Sequence, residues 1–130
     1  MNILLVEDDR KLARAMVAMF EEDEHGVDVA HDGERGLELG LEHPYDVIVL
    51  DLMLPRMDGY KVCRALKFDE RYRHIPIFIL SARSAESDRR LAVEMGADEV
   101  HTKPYDMKSL IARVRARVGE GEQDEHRAAA

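Results

Sequence analysis

Carboxylates, a hydroxyl and an ammonium stand directly behind short apolar runs that are far apart in the chain. Glu7, Asp8 and Asp9 follow the first run, Asp51 the third, Ser81 the fourth, and Lys103 the fifth, with Pro104 beside it. If the runs are strands of an open α/β sheet, residues just past their carboxyl ends share one rim, where such sheets carry their working sites. Acids held close repel one another and favour a hard divalent cation. Oxygen ligands with room left for water suit Mg²⁺, which retains several waters and shares phosphate oxygens. A carboxylate is a weak nucleophile, yet it attacks phosphorus once metal and ammonium neutralise the charge on the equatorial oxygens. Lys103 suits that task as a compact point charge.

Each piece alone has a plainer explanation. Glu7-Asp8-Asp9 also reads as the acidic start of a helix, and Asp9 is expected to be its N-cap. Ser81 could cap the following helix, and Lys103 could be a surface lysine. Asp51 is harder to dismiss, because apolar residues flank it on both sides. The joint arrangement carries the chemical reading.

The elements that must position these residues are legible in outline. Runs rich in β-branched residues at Asn2–Val6, Val27–Ala30, Asp46–Leu50, Pro76–Leu80 and Glu99–Thr102 read as buried strands. Between them lie helical spacings. Leu12, Met16, Met19 and Phe20 form one stripe, and Met107, Leu110, Ile111, Val114 and Val118 form another. Leu37 with Leu41, Val62 with Leu66, and Leu91 with Met95 are weaker pairs. Alternating strands and helices predict right-handed crossovers and a doubly wound parallel sheet of five strands, with five helices on both faces. Gly26, Gly96 and Gly119 are read as helix terminators, and Asp58-Gly59 and Glu42-His43-Pro44 as turns. One domain is expected over residues 1–118, and residues 119–130, charged and without apolar period, as a flexible tail or linker.

Composition narrows the function classes. The chain has 130 residues, 45% hydrophobic and 35% charged, with a net charge of −8. That balance suits one small α/β or all-α domain and argues against nucleic-acid contact by this segment. No run approaches a membrane span, and the first residues lack the basic flank of a signal peptide, so a cytoplasmic location is expected. Cys63, the single cysteine, is read with Val62 and Ala65 as a buried small hydrophobe on a helix. His25, His31, His43, His74 and His126 lack metal-ligand spacing and are read as surface residues.

The stretch Ile3-Leu4-Leu5-Val6-Glu7-Asp8-Asp9 resembles the opening of response-regulator receiver domains. So do Asp46 to Pro55 with Met57-Asp58-Gly59, Ile77 to Ala82, and Gly96-Ala97-Asp98 leading to Lys103-Pro104. The resemblance spans Asn2 to Val118 and implies the flavodoxin-like strand order 2-1-3-4-5. It implies a switch rather than a turnover enzyme. Asp51 would accept a phosphoryl group from a sensor histidine kinase or phosphotransfer protein. Asp8 would bind Mg²⁺ directly, Glu7 would assist through water, and Met53 would offer its backbone carbonyl. Ser81 would bond a phosphoryl oxygen and Lys103 would pair with the phosphate. It further implies homodimerisation through the last two helices and a downstream effector domain or protein.

One position departs from the pattern. Many receivers carry an aromatic residue three positions before the lysine, and Val100 stands there, with His101 next to it. The output is then transmitted differently, or His101 or Tyr105 joins the signalling face. Met53 and Arg83 lie two residues beyond Asp51 and Ser81, at the expected mouth, where side chains influence access of water. Three other readings compete with this one. An Asp-nucleophile phosphatase would need a second Asp where Met53 stands. A flavin module would need a phosphate-cradling loop where Glu7-Asp8-Asp9 stands. A phosphorylation-independent pseudo-receiver would not require the intact Asp8, Asp51, Ser81 and Lys103.

Overall fold

The computed structural model describes every residue except Asp23, 82–85, 103–105 and Ala130, and for 86–88 and 120–129 it describes the backbone alone. Five strands and five helices alternate: β1 (Asn2–Val6), α1 (Arg10–Glu22), β2 (Gly26–Ala30), α2 (Gly33–Glu42), β3 (Val47–Asp51), α3 (Gly59–Lys67), β4 (Ile77–Ser81), α4 (Glu86–Glu94), β5 (Glu99–Thr102) and α5 (Met107–Ala129). All strand pairs are parallel and the order is β2-β1-β3-β4-β5. The chain therefore reverses direction across the sheet between β1 and β3, and this is where ligands meet such folds.

Strand side chains alternate between the faces, and each face feeds its own core. Leu4, Val6, Ile48, Leu50, Ile77 and Ile79 pack with Leu39 of α2, Val62, Cys63 and Leu66 of α3, and Ala92 of α4. Ile3, Leu5, Val47, Val49, Phe78 and Leu80 pack on Met16 and Phe20 of α1 and on Leu110, Ile111 and Val114 of α5. Burial on both sides explains why β3 and β4 read as unbroken apolar runs. Each fully buried Leu, Ile or Phe contributes about 1.5–3 kcal/mol.

The helix starts follow the side chains. Asp9 Oδ1 accepts from the amides of Lys11 at 3.0 Å and Leu12 at 3.1 Å, so the expected cap forms. Asp32 and Asp58 cap α2 and α3, accepting from the amides of Arg35 and Lys61.

Several expectations are corrected. Gly26 opens β2 instead of ending α1; the left-handed residue after α1 is Glu24, at φ 63°. Gly96, at φ 100°, does follow α4 as expected of a terminator. The buried side of α2 is not the Leu37–Leu41 pair. It is Gly33, Gly36, Leu39 and Gly40, because a glycine face lets the helix lie against Val6 and Leu66. Gly119 does not end α5, which runs on to Ala129. The apolar stripe ends at Val118, and the helix continues past it through Gly119 and Gly121.

Candidate functional site

β1 and β3 are neighbours, paired Val6 with Leu50, so the residues that leave their carboxyl ends emerge side by side. Glu7, Asp8 and Asp51 each bring a carboxylate oxygen to within 4.8 Å of the others. Asp51 is the last residue of β3 and is 4% exposed; Glu7 is 1% exposed, and Asp8 lies open to solvent. Two sunken acids and one exposed acid make a cleft that opens on one side.

Main-chain bonds hold it. The Glu7 amide donates to the Ala30 carbonyl at 2.9 Å, and the Asp9 amide approaches Glu7 Oε2 at 3.4 Å. The Met53 amide donates to Asp51 Oδ1 at 2.9 Å, and the Leu52 amide to the Leu80 carbonyl at 2.9 Å. The latter bond continues the β3–β4 ladder one step past the strand, so the acid and the following loop are locked to β4. Ser81 ends β4, buried, one residue beyond Leu80, the register partner of Asp51.

Behind the acid lies Gly59, whose amide donates to the Leu52 carbonyl at 3.0 Å. A Cβ there would come within 2.6 Å of the Asp51 carbonyl oxygen and 2.9 Å of Leu52 Cα. Only glycine lets α3 begin that close to the acid. In the sequence, Asp58-Gly59 is visible as a turn, but this close approach is not. The floor of the loop is also tied to α2, where the Gly33 amide donates to the Pro55 carbonyl at 3.2 Å.

The structure brings together Glu7, Asp8, Asp51 and Ser81 of the expected residues. Met53 follows on the loop, 57% exposed at the mouth. Lys103, Pro104 and Tyr105, as well as Arg83, lie outside the described residues. Sequence reading missed His31, which is half-buried, with Nδ1 3.0 Å from the Glu7 carbonyl oxygen. His25 is likewise half-buried, with Nδ1 3.3 Å from the N-terminal amine, so neither is a plain surface histidine. His43 and His74 are exposed as expected. A lone histidine after a strand carries no periodic signal that would reveal such contacts.

Val100 faces the core shared by α3 and α4, near Ser81, Tyr60 and Arg89. His101 points to the opposite face, stacked on Phe78 with ring centroids 5.7 Å apart. Its Nε2 lies 3.2 Å from Glu99 Oε1, and Arg113 of α5 donates to the same carboxylate at 2.6 and 3.1 Å. Burial pushes the Glu99 carboxyl up, but the bonds from Arg113 and His101 outweigh it and hold it below the usual glutamate range. Among the described residues no helix is long and apolar enough to cross a membrane.

The donors in the cleft are hard oxygens, crowded and open to water on the Asp8 side, which fits Mg²⁺. Comparison with known proteins agrees with this geometry. The response-regulator receiver domain family matches residues 3–115. The response regulator ArlR of Staphylococcus saprophyticus is 40% identical over 115 residues, and its Staphylococcus aureus counterpart is equally similar. The match covers 88% of this chain but 51% of each relative, so the chain spans about half their length. The receiver domain of the Francisella response regulator 1452 superposes with a TM-score of 0.85 at 33% identity, covering 92% of this chain and 97% of that one. The receiver domain of the sensor histidine kinase PA1611 from Pseudomonas aeruginosa has a TM-score of 0.83 at 29% identity, covering 91% of this chain and 97% of that one. That structure has a magnesium ion coordinated in its active-site cleft. With the strand order, the acid cluster at the β1–β3 reversal and the family match in agreement, this chain belongs to the response-regulator receiver domains, the phosphorylation-dependent switches of two-component signalling.

Proposed function

We propose that Asp51 is the phosphoryl acceptor, supplied by a phosphohistidine on a sensor histidine kinase or phosphotransfer protein. The observation that carries this reading is the convergence of Glu7, Asp8 and Asp51 within 4.8 Å, with Asp51 sunk at the end of β3. Asp8 and Asp51 would hold Mg²⁺, with Glu7 acting through water and Met53 through its backbone carbonyl. Bound there, the ion would offset the charge of the three acids and of the incoming phosphoryl oxygens.

The chain's own residues do the rest. A carboxylate oxygen of Asp51 attacks phosphorus, the phosphorus–nitrogen bond to the donor imidazole breaks, and the imidazole takes up a proton. The Met53 amide orients the attacking carboxylate through Oδ1. Ser81 donates to a phosphoryl oxygen and Lys103 pairs with the phosphate charge. Hydrolysis of the acyl phosphate then resets the switch slowly, so the domain promotes only its own phosphorylation and dephosphorylation.

Output follows from charge. New negative charge at Ser81 and Lys103 favours one packing of the neighbouring loops over another. With Val100 in place of a ring, the link runs through α4 and β5, where Arg89 donates to Thr102 Oγ1 at 3.0 Å. Pairing of two copies through α4, β5 and α5 and coupling to an effector beyond residues 119–130 complete the reading, in the cytoplasm. The greater length of the ArlR relatives supports an effector.

The test is to incubate the protein with Mg²⁺ and a small phosphodonor and compare intact masses with Asp51→Asn. A phosphoryl adduct that needs Mg²⁺ and is absent from the variant is expected. An adduct that persists in Asp51→Asn would move the acceptor elsewhere, and no adduct with any donor would leave a phosphorylation-independent interaction module.

A further inference from the structure

A groove of about 380 Å³ runs between the first half of α1 and the edge strand β2. Ala13, Val17 and Val29 give it an apolar floor, and Arg10, Arg14 and His31 form its rim.

The charges on α1 run against its dipole. Arg10, Lys11 and Arg14 occupy its first half and Glu21 and Glu22 its end, with no acid in the first turn and no base in the last. Each such placement is unfavourable for the helix itself. Among the described residues neither Arg10 nor Arg14 meets a carboxylate, although the chain carries a net charge of −8. Arg35, Arg56, Arg71, Arg73, Arg113 and Arg117 each have one. The bond from Arg14 Nε reaches only the Arg10 carbonyl, at 3.4 Å. In an acidic molecule, two guanidiniums without a carboxylate on one apolar groove are a local inversion of charge.

We propose that this groove docks an acidic segment of a partner protein. An apolar side chain of that segment rests on Ala13, Val17 and Val29, and its carboxylates pair with Arg10 and Arg14, whose planar donors match them in geometry. A nucleic acid is disfavoured, because two guanidiniums on a chain of net charge −8 cannot neutralise a continuous phosphate backbone. His31 also marks how close the docked segment comes to the acid cluster. The Glu7 carbonyl can only accept, so His31 Nδ1 carries the hydrogen of their 3.0 Å bond while the ring lines the groove. The partner thus lies beside the cluster without entering it. This inference rests on the groove's own chemistry, independently of phosphoryl transfer.

The test uses the whole chain and a labelled amphipathic peptide with Glu residues one helical turn apart flanking Leu, against the same peptide with Lys for Glu. Fluorescence anisotropy gives affinity and amide chemical shifts give location. Expected are binding of the Glu peptide alone, weakening with salt, and shifts confined to Arg10–Val17 and Val29–His31. Arg10→Glu with Arg14→Glu should reduce affinity at least about tenfold. It should leave the fold, read from the amide spectrum, and the Asp51 adduct from a small phosphodonor unchanged. Equal affinity of the double variant, equal binding of the Lys peptide, shifts elsewhere, or no binding of the Glu peptide would each overturn the proposal.

Discussion

Met53 positions Asp51 through the main chain: its amide donates to Asp51 Oδ1 at 2.9 Å while its side chain projects, 57% exposed, from the mouth of the cleft. Orientation of the acid is therefore independent of the side chain at 53. Met53→Asn should leave the yield of Asp51 adduct unchanged and speed its decay, because a polar side chain there can orient water. The decay of the adduct, followed by intact mass, decides this. An unchanged half-life would remove residue 53 from the control of hydrolysis.

Gly59→Ala asks how tightly α3 must approach the acid. The new methyl would meet the Asp51 carbonyl oxygen at 2.6 Å and Leu50 Cδ1 at 2.8 Å, and backbone cannot yield cheaply. A loss of about 1–3 kcal/mol in urea unfolding is expected. Poorer acceptance of phosphoryl groups should accompany it, since Asp51 would shift with its backbone.

The ion pair between β5 and α5 sets an acid limb. The Glu99 carboxyl is held below its usual range by Arg113 and His101 in the folded chain. The folded value lies below the unfolded one, so its stabilisation is complete above about pH 4.3, the ordinary glutamate value, and is lost as pH falls through the folded value. Glu99→Gln should lower stability at pH 7 and flatten the loss below pH ~4.3. Equal slopes for the two proteins in acid would show that the pair contributes nothing.

Cys63 is fully buried on α3, and burial pushes its thiol up to about 12. At pH 8 the native protein should react with a thiol reagent only through opening, so the rate should rise in step with denaturant-induced exposure. A rapid reaction in native buffer would contradict the burial.

Much of this fold is legible in the sequence, for physical reasons that also explain the exceptions. β3 and β4 are covered on both faces, so their apolar runs were unmistakable, and β1, β3 and β4 end where Glu7, Asp51 and Ser81 were expected. α1 and α5 each bury one stripe, and both stripes were legible in the spacing of Met16 with Phe20 and Leu110 with Val114. α2 was misread because it packs through glycines, which leave no hydrophobic period. The extension of α5 past Gly119 leaves no trace in the sequence, because no apolar period runs beyond Val118. The roles of Gly59 and His31 depend on distances between segments remote in the chain. Spacing cannot report those.

The crowding of Glu7, Asp8 and Asp51 within 4.8 Å has a consequence for the molecule as a whole. Asp51 meets Glu7 and Asp8 only when β1 and β3 pair, so the repulsion between them opposes the native state and spares the unfolded chain. Neutral substitution at Asp8 or Asp51 is therefore a route to a sturdier protein, by about 0.5–2 kcal/mol, at the expense of its chemistry. Conversely, a cation that satisfies the cluster ties occupancy of one small cleft to the melting of every strand, which makes thermal stability a reporter of the state of the site.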